Sequence, residues 1–406
     1  MMSDEKETQY TIPQMNELRI ECNDENAIIV VLLAGQAEIF GNELRFDIEY
    51  RFSGNKSFAI FTWIGCRVVI VGQPKEVPYI PSIAPFSLIQ TINVHSMLTV
   101  GKRPTLMVTG QPNCGKMTVC TILLNLAVRN GLHPMFIDLN VDLNSISGLP
   151  GAIGCTIIKK TSFSRDAYSE FNQDSLLLHF GSHQVSKNID FFKSQCVRLQ
   201  YLISQKLKGS HYKDGIIINI PSKNSIGNNN EAFYAMVIDL AKIFSIDSML
   251  VIAENDKLFQ TLKVDANLDQ KISILNMEKF SGSIDKPSRK STQKTSINSY
   301  FNEMQPRKLL CELEVCKIVP FVLSESTLPI GKKQLNKCRF QQESVGLEEN
   351  FEFGSLVQAT DSKHYEQPVL GFVRMIRGTG GGETSLIAID QLPHGLEFKL
   401  FAMTKF

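Results

Sequence analysis

Thr105-Leu-Met-Val-Thr-Gly110-Gln-Pro-Asn-Cys-Gly115-Lys116-Met117-Thr118 is the stretch that decides the fold. Its spacing, G-x-x-x-x-G-K, is that of a phosphate-binding loop, in which backbone N–H groups cradle phosphates and the lysine reaches their outer oxygens. The context suits the motif. Thr105 to Thr109 reads as a short buried strand. From Lys116 to Asn130 the apolar residues Val119, Ile122, Leu123, Leu126 and Ala127 fall at helical spacing, and Gly131 is a helix stop. Gly110, Asn113, Cys114, Gly115, Lys116, Met117 and Thr118 are therefore the candidate nucleotide-binding residues; a glycine turn without a ligand is the alternative. One position is anomalous. The residue after the lysine is ordinarily Ser or Thr, whose hydroxyl ligates Mg²⁺. Here it is Met117, and a thioether is a poor ligand for a hard cation. Mg²⁺ binding is expected to be weak or absent, with Thr118 and Asp138 as the remaining candidate ligands.

The chain has 406 residues, enough for two or three domains. Its 42 basic and 41 acidic residues nearly cancel, which disfavours a globally basic nucleic-acid binder. No apolar run approaches the roughly 18 residues of a membrane span, so no membrane association is expected. The polar, acidic start, Met-Met-Ser-Asp-Glu-Lys, does not read as a signal peptide. Nine cysteines are scattered. Cys66, Cys120 and Cys155 sit in apolar stretches and read as small core residues, and Cys311 and Cys316 lack the companions of a zinc site. A reducing compartment is expected.

The pattern predicts a multidomain α/β protein. Residues 1–97 read as an all-β sandwich or barrel, from the strands Ala27 to Leu33, Gly35 to Gly41, Phe58 to Trp63 and Cys66 to Val71, with no helical period. Pro78, Pro81 and Pro85 mark the exit. Residues 98–305 alternate strands (Met135 to Leu139, Gly215 to Ile220, Ser248 to Ala253, Ile272 to Asn276) with helices such as Glu231 to Phe244. Such alternation implies a parallel sheet with helices on both faces. The polar stretch Ser281 to Thr295 is either a solvated loop or part of a lid over the phosphates, about 281–301. Residues 306–406 return to strands, and Gly378 to Thr384 reads as a hairpin turn.

Beyond these patterns, Asn16-Glu-Leu-Arg19, Gly35-x-Ala-Glu-Ile-Phe-Gly-x-Glu-Leu44, Phe61-Thr-Trp63 and Gly110 to Cys120 carry a further likeness. In them the chain resembles the eukaryotic RNA 5′-hydroxyl kinase family, whose members double as a subunit of the pre-mRNA cleavage and polyadenylation machinery. Pro150-Gly151, His179-Phe-Gly181, Thr295 to Phe301 and Leu370-Gly-Phe372 extend the likeness along nearly the whole chain. The resemblance implies that ATP sits between the first domain and the loop, with Glu17 at the position that contacts adenine and Lys56 near a second such position. It also implies nuclear location and, as partners, protein subunits of the cleavage and polyadenylation complex.

The chain departs from active members where chemistry occurs. Their strand after the loop helix ends in an aspartate that activates the RNA hydroxyl; here the run is Asp138-Leu139-Asn140, and an amide offers no titratable base. Asp138 remains, on the same strand face as Asn140, either as a ligand for metal through water or as a polar strand end. Active members stack RNA on a tryptophan where this chain has Pro221 to Asn224, and its one tryptophan, Trp63, lies in the first domain. Their lid is arginine-rich; here Arg289, Lys290 and Lys294 are the only cations between Ser288 and Tyr300, and Ser296 and Asn298 stand at arginine positions. With Met117 these are four losses, and each electrostatic group in such a site is typically worth about 10²–10³ in rate. The expected function is a non-catalytic, ATP-binding scaffold of mRNA 3′-end processing. The alternative is a working RNA 5′-hydroxyl kinase of the tRNA-splicing kind. RNA binding stays open.

Overall fold

The computed structural model describes residues 7–22, 27–52, 57–81, 86–99, 103–163, 175–207, 212, 214–253, 257–265, 271–279, 293, 297–298, 300–301, 307–308, 314–321, 339–344, 353–358, 366–376, 385–388 and 398–402. Lys56, Cys311, the turn at 378–384 and most of the expected lid, including Arg289, Lys290, Lys294 and Ser296, lie outside them.

Eight strands open the chain: β1 (Glu7–Ile12), β2 (Asn16–Glu21), β3 (Ile28–Gly35), β4 (Glu38–Ile39), β5 (Asn42–Glu43), β6 (Glu49–Phe52), β7 (Ser57–Thr62) and β8 (Cys66–Val71). They form two four-stranded sheets, ordered β1-β8-β3-β6 and β2-β7-β4-β5. Alternation along each strand turns Leu18, Ile20, Val30, Leu32, Ile60, Val68 and Ile70 inward to a shared core, the arrangement of a sandwich.

The next element departs from the all-β reading of this region. Phe86–Thr99 is a helix, α1. Its sequence shows no single apolar stripe because it is covered on more than one side. Leu88 and Ile92 pack with Phe61 of the sandwich and with Ile122 and Leu126, while Thr91 donates to the sulfur of Met277 at 3.6 Å. A helix buried on several faces loses the one-sided periodicity by which helices are recognised.

The central layer follows as β9 (Thr105–Gly110), α2 (Lys116–Arg129), β10 (Met135–Asp138), β11 (Ala152–Ile157), β12 (Leu176–His179), α3 (Ile189–Lys206), β13 (Ile216–Asn219), α4 (Asn230–Ile243), β14 (Ser248–Ala253), α5 (Lys257–Val264) and β15 (Ser273–Glu278). Its seven strands run β12-β11-β10-β13-β9-β14-β15. From β10 to β15 the pairing is parallel, as the strand–helix alternation implies. The edge pair β11 and β12 is antiparallel, so the sheet is mixed. That edge is not visible as alternation because, among the described residues, β10, β11 and β12 follow one another without a helix. Cys120 and Cys155 are buried here as core residues, like Cys66 in the sandwich.

Seven further strands, β16 (Arg307–Lys308), β17 (Glu314–Phe321), β18 (Arg339–Ser344), β19 (Phe353–Gln358), β20 (Val369–Ile376), β21 (Ser385–Ala388) and β22 (Phe398–Ala402), make the last sheet, in the order β16-β21-β20-β19-β22-β17-β18. It docks on the β12 edge. Leu178 forms a bridge with Pro368, Arg198 of α3 donates to the Glu366 carbonyl at 3.2 Å, and Phe353, Phe372 and Phe401 join the apolar core of the central layer. No helix among the described residues is long and apolar enough to cross a membrane.

His179 sits at this junction. Its Nδ1 lies 2.9 Å from Ser355 Oγ and its ring 5.3 Å from that of Phe401. Burial pushes the imidazole from its ordinary 6.5 down to about 3. Between these values the unfolded chain binds a proton that the folded chain excludes. Stability should therefore fall as pH drops from 6.5 toward 3, with a slope of about 1.4 kcal/mol per pH unit from this group. Urea midpoints measured across that range should show the slope flatten in His179→Gln. An equal slope in the variant would assign the acid sensitivity elsewhere.

Candidate nucleotide site

The site is built at the carboxyl ends of the central strands, where open α/β sheets receive ligands. β9 ends at Gly110, packed so closely against β14 that a Cβ there would lie 2.3 Å from the Ile252 carbonyl oxygen and 2.8 Å from Cys114 Sγ. The chain then turns through Asn113, in the left-handed region at φ 57°, to Gly115 at φ 95°. Gly115 is the N-cap of α2 and supplies no side chain to bond the first N–H groups of the helix. No acidic residue stands in the first turn. Uncapped donors and the positive end of the helix dipole thus face one point, the arrangement that takes an anion. The Lys116 ammonium curls over the loop, 3.3 Å from the Gln111 carbonyl oxygen and 3.5 Å from that of Gly110. Cys114 is buried, and burial raises its thiol above the usual range, with Lys116 pulling the other way. Thr118 is half-buried in the first turn.

Met117 rests partly buried against the core. Its sulfur lies 4.0 Å from Asn219 Nδ2, at the end of β13. The same amide nitrogen donates to Asp138 Oδ1 at 2.9 Å. Asp138, fully buried at the end of β10, also accepts from Asn140 N at 3.0 Å, and from Ser145 N at 2.8 Å and Ser145 Oγ at 2.5 Å. Burial raises its pKa and these donors oppose the rise. Four donors fill the roughly four acceptor positions of a carboxylate, so Asp138 organises the 140–145 loop. Asn140 is likewise engaged, donating from Nδ2 to the Leu143 carbonyl at 3.2 Å and accepting from Asp142 N at 3.4 Å. Among the described residues no group of three or more His, Cys, Asp and Glu is placed to hold a metal ion.

The first domain is pinned to the loop helix. Phe61 packs on Ile122 with Met15, Phe40, Trp63 and Leu126 around it. Asn125 of α2 donates to the carbonyls of Phe40 and Ser162, each at 2.8 Å, and accepts from Ser162 N. Arg129 bonds Glu38 Oε2 and the Gly41 carbonyl, both at 2.9 Å, and pairs with Glu43. Glu17 is the direct cross-strand partner of Phe61 and so shares the face that meets α2. It is buried and is held by Arg19 at 2.6 Å. Tyr79 covers that pair, its ring centre 6.0 Å from the guanidinium.

Three features were missed by sequence reasoning: Asn219, Ser145 and Asp142. Asp142 meets Gln293 of the expected lid, accepting from its Nε2 at both the backbone oxygen (2.8 Å) and Oδ1 (2.7 Å).

The same loop and sandwich recur in known proteins. Residues 110–303 match the family described as mRNA cleavage and polyadenylation factor CLP1 P-loop, and residues 11–103 match the N-terminal beta-sandwich domain of polyadenylation factor. The chain is 29% identical to polyribonucleotide 5′-hydroxyl-kinase Clp1 of Danio rerio over 348 residues, covering 80% of this chain and 75% of that protein. It is 28% identical to the Homo sapiens protein of the same name over 347 residues, covering 80% and 78%. To the CLP1 homolog of Brugia malayi it is 28% identical over 425 aligned positions, covering 98% and 95%. Its fold is similar to that of Clp1p solved with Pcf11p. Two such structures each give a TM-score of 0.78, at 19% identity (98% of this chain and 99% of that one) and at 18% identity (99% and 98%). The first of them concerns the structural basis for ATP loss in a glycine-to-arginine point mutant of that protein.

Proposed function

Because the chain belongs to the CLP1 P-loop family of mRNA cleavage and polyadenylation factors, we propose that it is an ATP-holding, non-catalytic subunit of the nuclear 3′-end processing complex. One observation carries this reading: the phosphate cradle is complete while the groups beside it are committed to structure. The backbone donors at the start of α2 and Lys116 hold phosphates. Glu17, fixed by Arg19, would be the adenine-contacting residue. At the end of β10, where phosphoryl transfer needs a base, Asn140 closes its own loop and Asp138 is saturated. The residues do not fit a divalent cation either. Met117 offers sulfur where oxygen is needed, and no free carboxylate oxygen is left on Asp138. The nucleotide is therefore held with weak Mg²⁺ dependence or none. The partner is a cleavage-factor subunit of the Pcf11p kind, with which the structurally similar Clp1p was solved.

The test is chemical. Protein purified without added nucleotide should release an adenine nucleotide on denaturation, seen by HPLC, and Lys116→Ala should release none. Added to the wild type stripped of nucleotide, ATP at about 100 times its Kd should stabilise it by about 2.7 kcal/mol, and should leave Lys116→Ala unchanged. A stripped wild type whose melting temperature is indifferent to ATP would refute nucleotide holding. The names of the vertebrate relatives favour a second reading, an active kinase. Transfer of phosphate to a short 5′-hydroxyl RNA at about 1 s⁻¹ or faster, within the ordinary kinase range, would establish it instead.

A further inference from the structure

The two sheets of the sandwich differ on their outer sides. The sheet β2-β7-β4-β5 turns its outer side, with Phe61, to α2. The sheet β1-β8-β3-β6 has its outer side on the far face of the domain, and its sequence there is apolar. A strand covered on one side alone alternates apolar and polar residues. β3 instead reads Ile28-Ile-Val-Val-Leu-Leu33, and β8 ends Val68-Val-Ile-Val71. Val30 and Leu32 of β3, with Val68 and Ile70 of β8, belong to the sandwich core; Ile29, Val31, Val69 and Val71 do not. The register sets these four side by side, Ile29 opposite Val71 and Val31 opposite Val69. Val69 is buried, Ile29, Val31 and Val71 are half-buried, and Leu33, at the bulge in β3, is 39% exposed. The flanking strands add charge. One row reads Glu7-Val71-Ile29-Arg51 across β1, β8, β3 and β6, and the next reads Gln9-Val69-Val31-Glu49. Glu7, Gln9, Glu49 and Arg51 are all exposed.

We propose that this face binds a second copy of the chain, sheet on sheet. The two rows carry the argument, because the face is complementary to itself. A two-fold axis along the strands, midway between β8 and β3, lays β8 of one copy over β3 of the other and β1 over β6. Val71 then meets Ile29, and Val69 meets Val31, each twice. Glu7 of each copy meets Arg51 of its mate. Gln9 meets Glu49, an amide donor beside a carboxylate. Like charges oppose each other in neither row. A two-fold contact uses one patch on both molecules and closes at the dimer. Sheets stacked in this way lie about 10 Å apart with their strands within about 30° of each other, which accommodates the twist of each sheet. The strip is narrow, at the low end of specific interfaces, below about 1,200 Å² in all. The pair is therefore weak, with a Kd of about 10–100 µM. The apolar square supplies the attraction and the charged ends fix the register. The nucleotide site lies on the side of the other sheet, so the pairing does not depend on what that site holds.

Sedimentation velocity of the full chain, from about 1 to about 300 µM, tests the pairing. The wild type should pass from monomer to dimer across that range. Val31→Lys, in the middle of the face, should leave a monomer throughout while its far-UV circular dichroism stays that of the wild type. Arg51→Glu and Glu7→Arg lie at the exposed ends, away from the core. Each alone sets like charges together twice and should weaken the dimer by about tenfold. An equimolar mixture of the two variants sets opposite charges together at both ends and should associate like the wild type. The doubly reversed chain should do the same. A wild type that stays monomeric at about 300 µM overturns the proposal and leaves the face to a different protein. A dimer indifferent to Val31→Lys and to both reversals sits on another surface and overturns it equally. Weakening by each reversal without recovery in the mixture overturns the two-fold arrangement.

Discussion

Asp138→Ala should lower the unfolding free energy by about 3–5 kcal/mol, the usual cost of breaking a buried charged network from one side. The carboxylate is fully buried, and its removal strands Asn140 N, Ser145 N, Ser145 Oγ and Asn219 Nδ2 together. Water cannot reach all four without opening the loop. At about 2–4 °C per kcal/mol for a domain of this size, the melting temperature should drop by roughly 10 °C. Asp138→Asn keeps the shape but must point an NH₂ at one pair of donors, so it should recover only part of the loss. Thermal melts followed by far-UV circular dichroism decide the matter. A variant melting within about 2 °C of the wild type would show that the loop is held by something else.

Gly110→Ala should be comparably severe, for a steric reason. The added methyl group would be driven into the Ile252 carbonyl on one side and Cys114 Sγ on the other. The oxygen belongs to β14, which pairs with β9 at this position, so relief requires the two strands to part. A cost of about 3 kcal/mol or more is expected, of the size found for overpacked sites. Nucleotide retention should be lost as well, because the cradle starts at this residue. Isothermal titration with ATP and a urea melt would measure both effects. Wild-type affinity in Gly110→Ala would mean that the loop does not bind phosphate through the backbone geometry described here.

The parts of this fold legible in the sequence are those whose physics is local or repetitive. Gly110, Gly115 and Lys116 announce the loop because each supplies something no other residue type does: close backbone approach, a left-handed turn, a long cation. β9, β13 and β14 are legible as short apolar runs because both faces of the central sheet are covered. Helix α1 was not legible, since burial against the sandwich, α2 and Met277 blurs its stripe. The antiparallel edge of β11 and β12 was not legible either, because direction within a sheet is set by connections and not by composition. The site divides in the same way. Asn140 and Met117 stand out as wrong residue types at motif positions. Asp142, Ser145, Asn219 and Gln293 carry no signature, because a polar residue becomes functional only when tertiary packing puts its partner in reach. Asp138 was open to two readings, and only the identities of its four donors distinguish them.

The apolar cores have a consequence for how the chain comes apart. The sandwich has its own buried core, from Ile12 to Ile70, and meets the central domain through a patch around Phe61, the contacts of Asn125 and Arg129, and Phe163, whose ring lies 4.7 Å from that of Tyr50. The central and last sheets share a single core, in which Phe353, Phe372 and Phe401 lie with Leu178 and Phe301. Three segments of sequence thus amount to two cooperative units. The sandwich is therefore expected to unfold at its own free energy, apart from the remainder, once its contacts with α2 give way. Truncation near residue 306 has no such seam to follow: it would lay bare the inner side of β12 and Phe301, and the shortened chain would be a fragment with an open core.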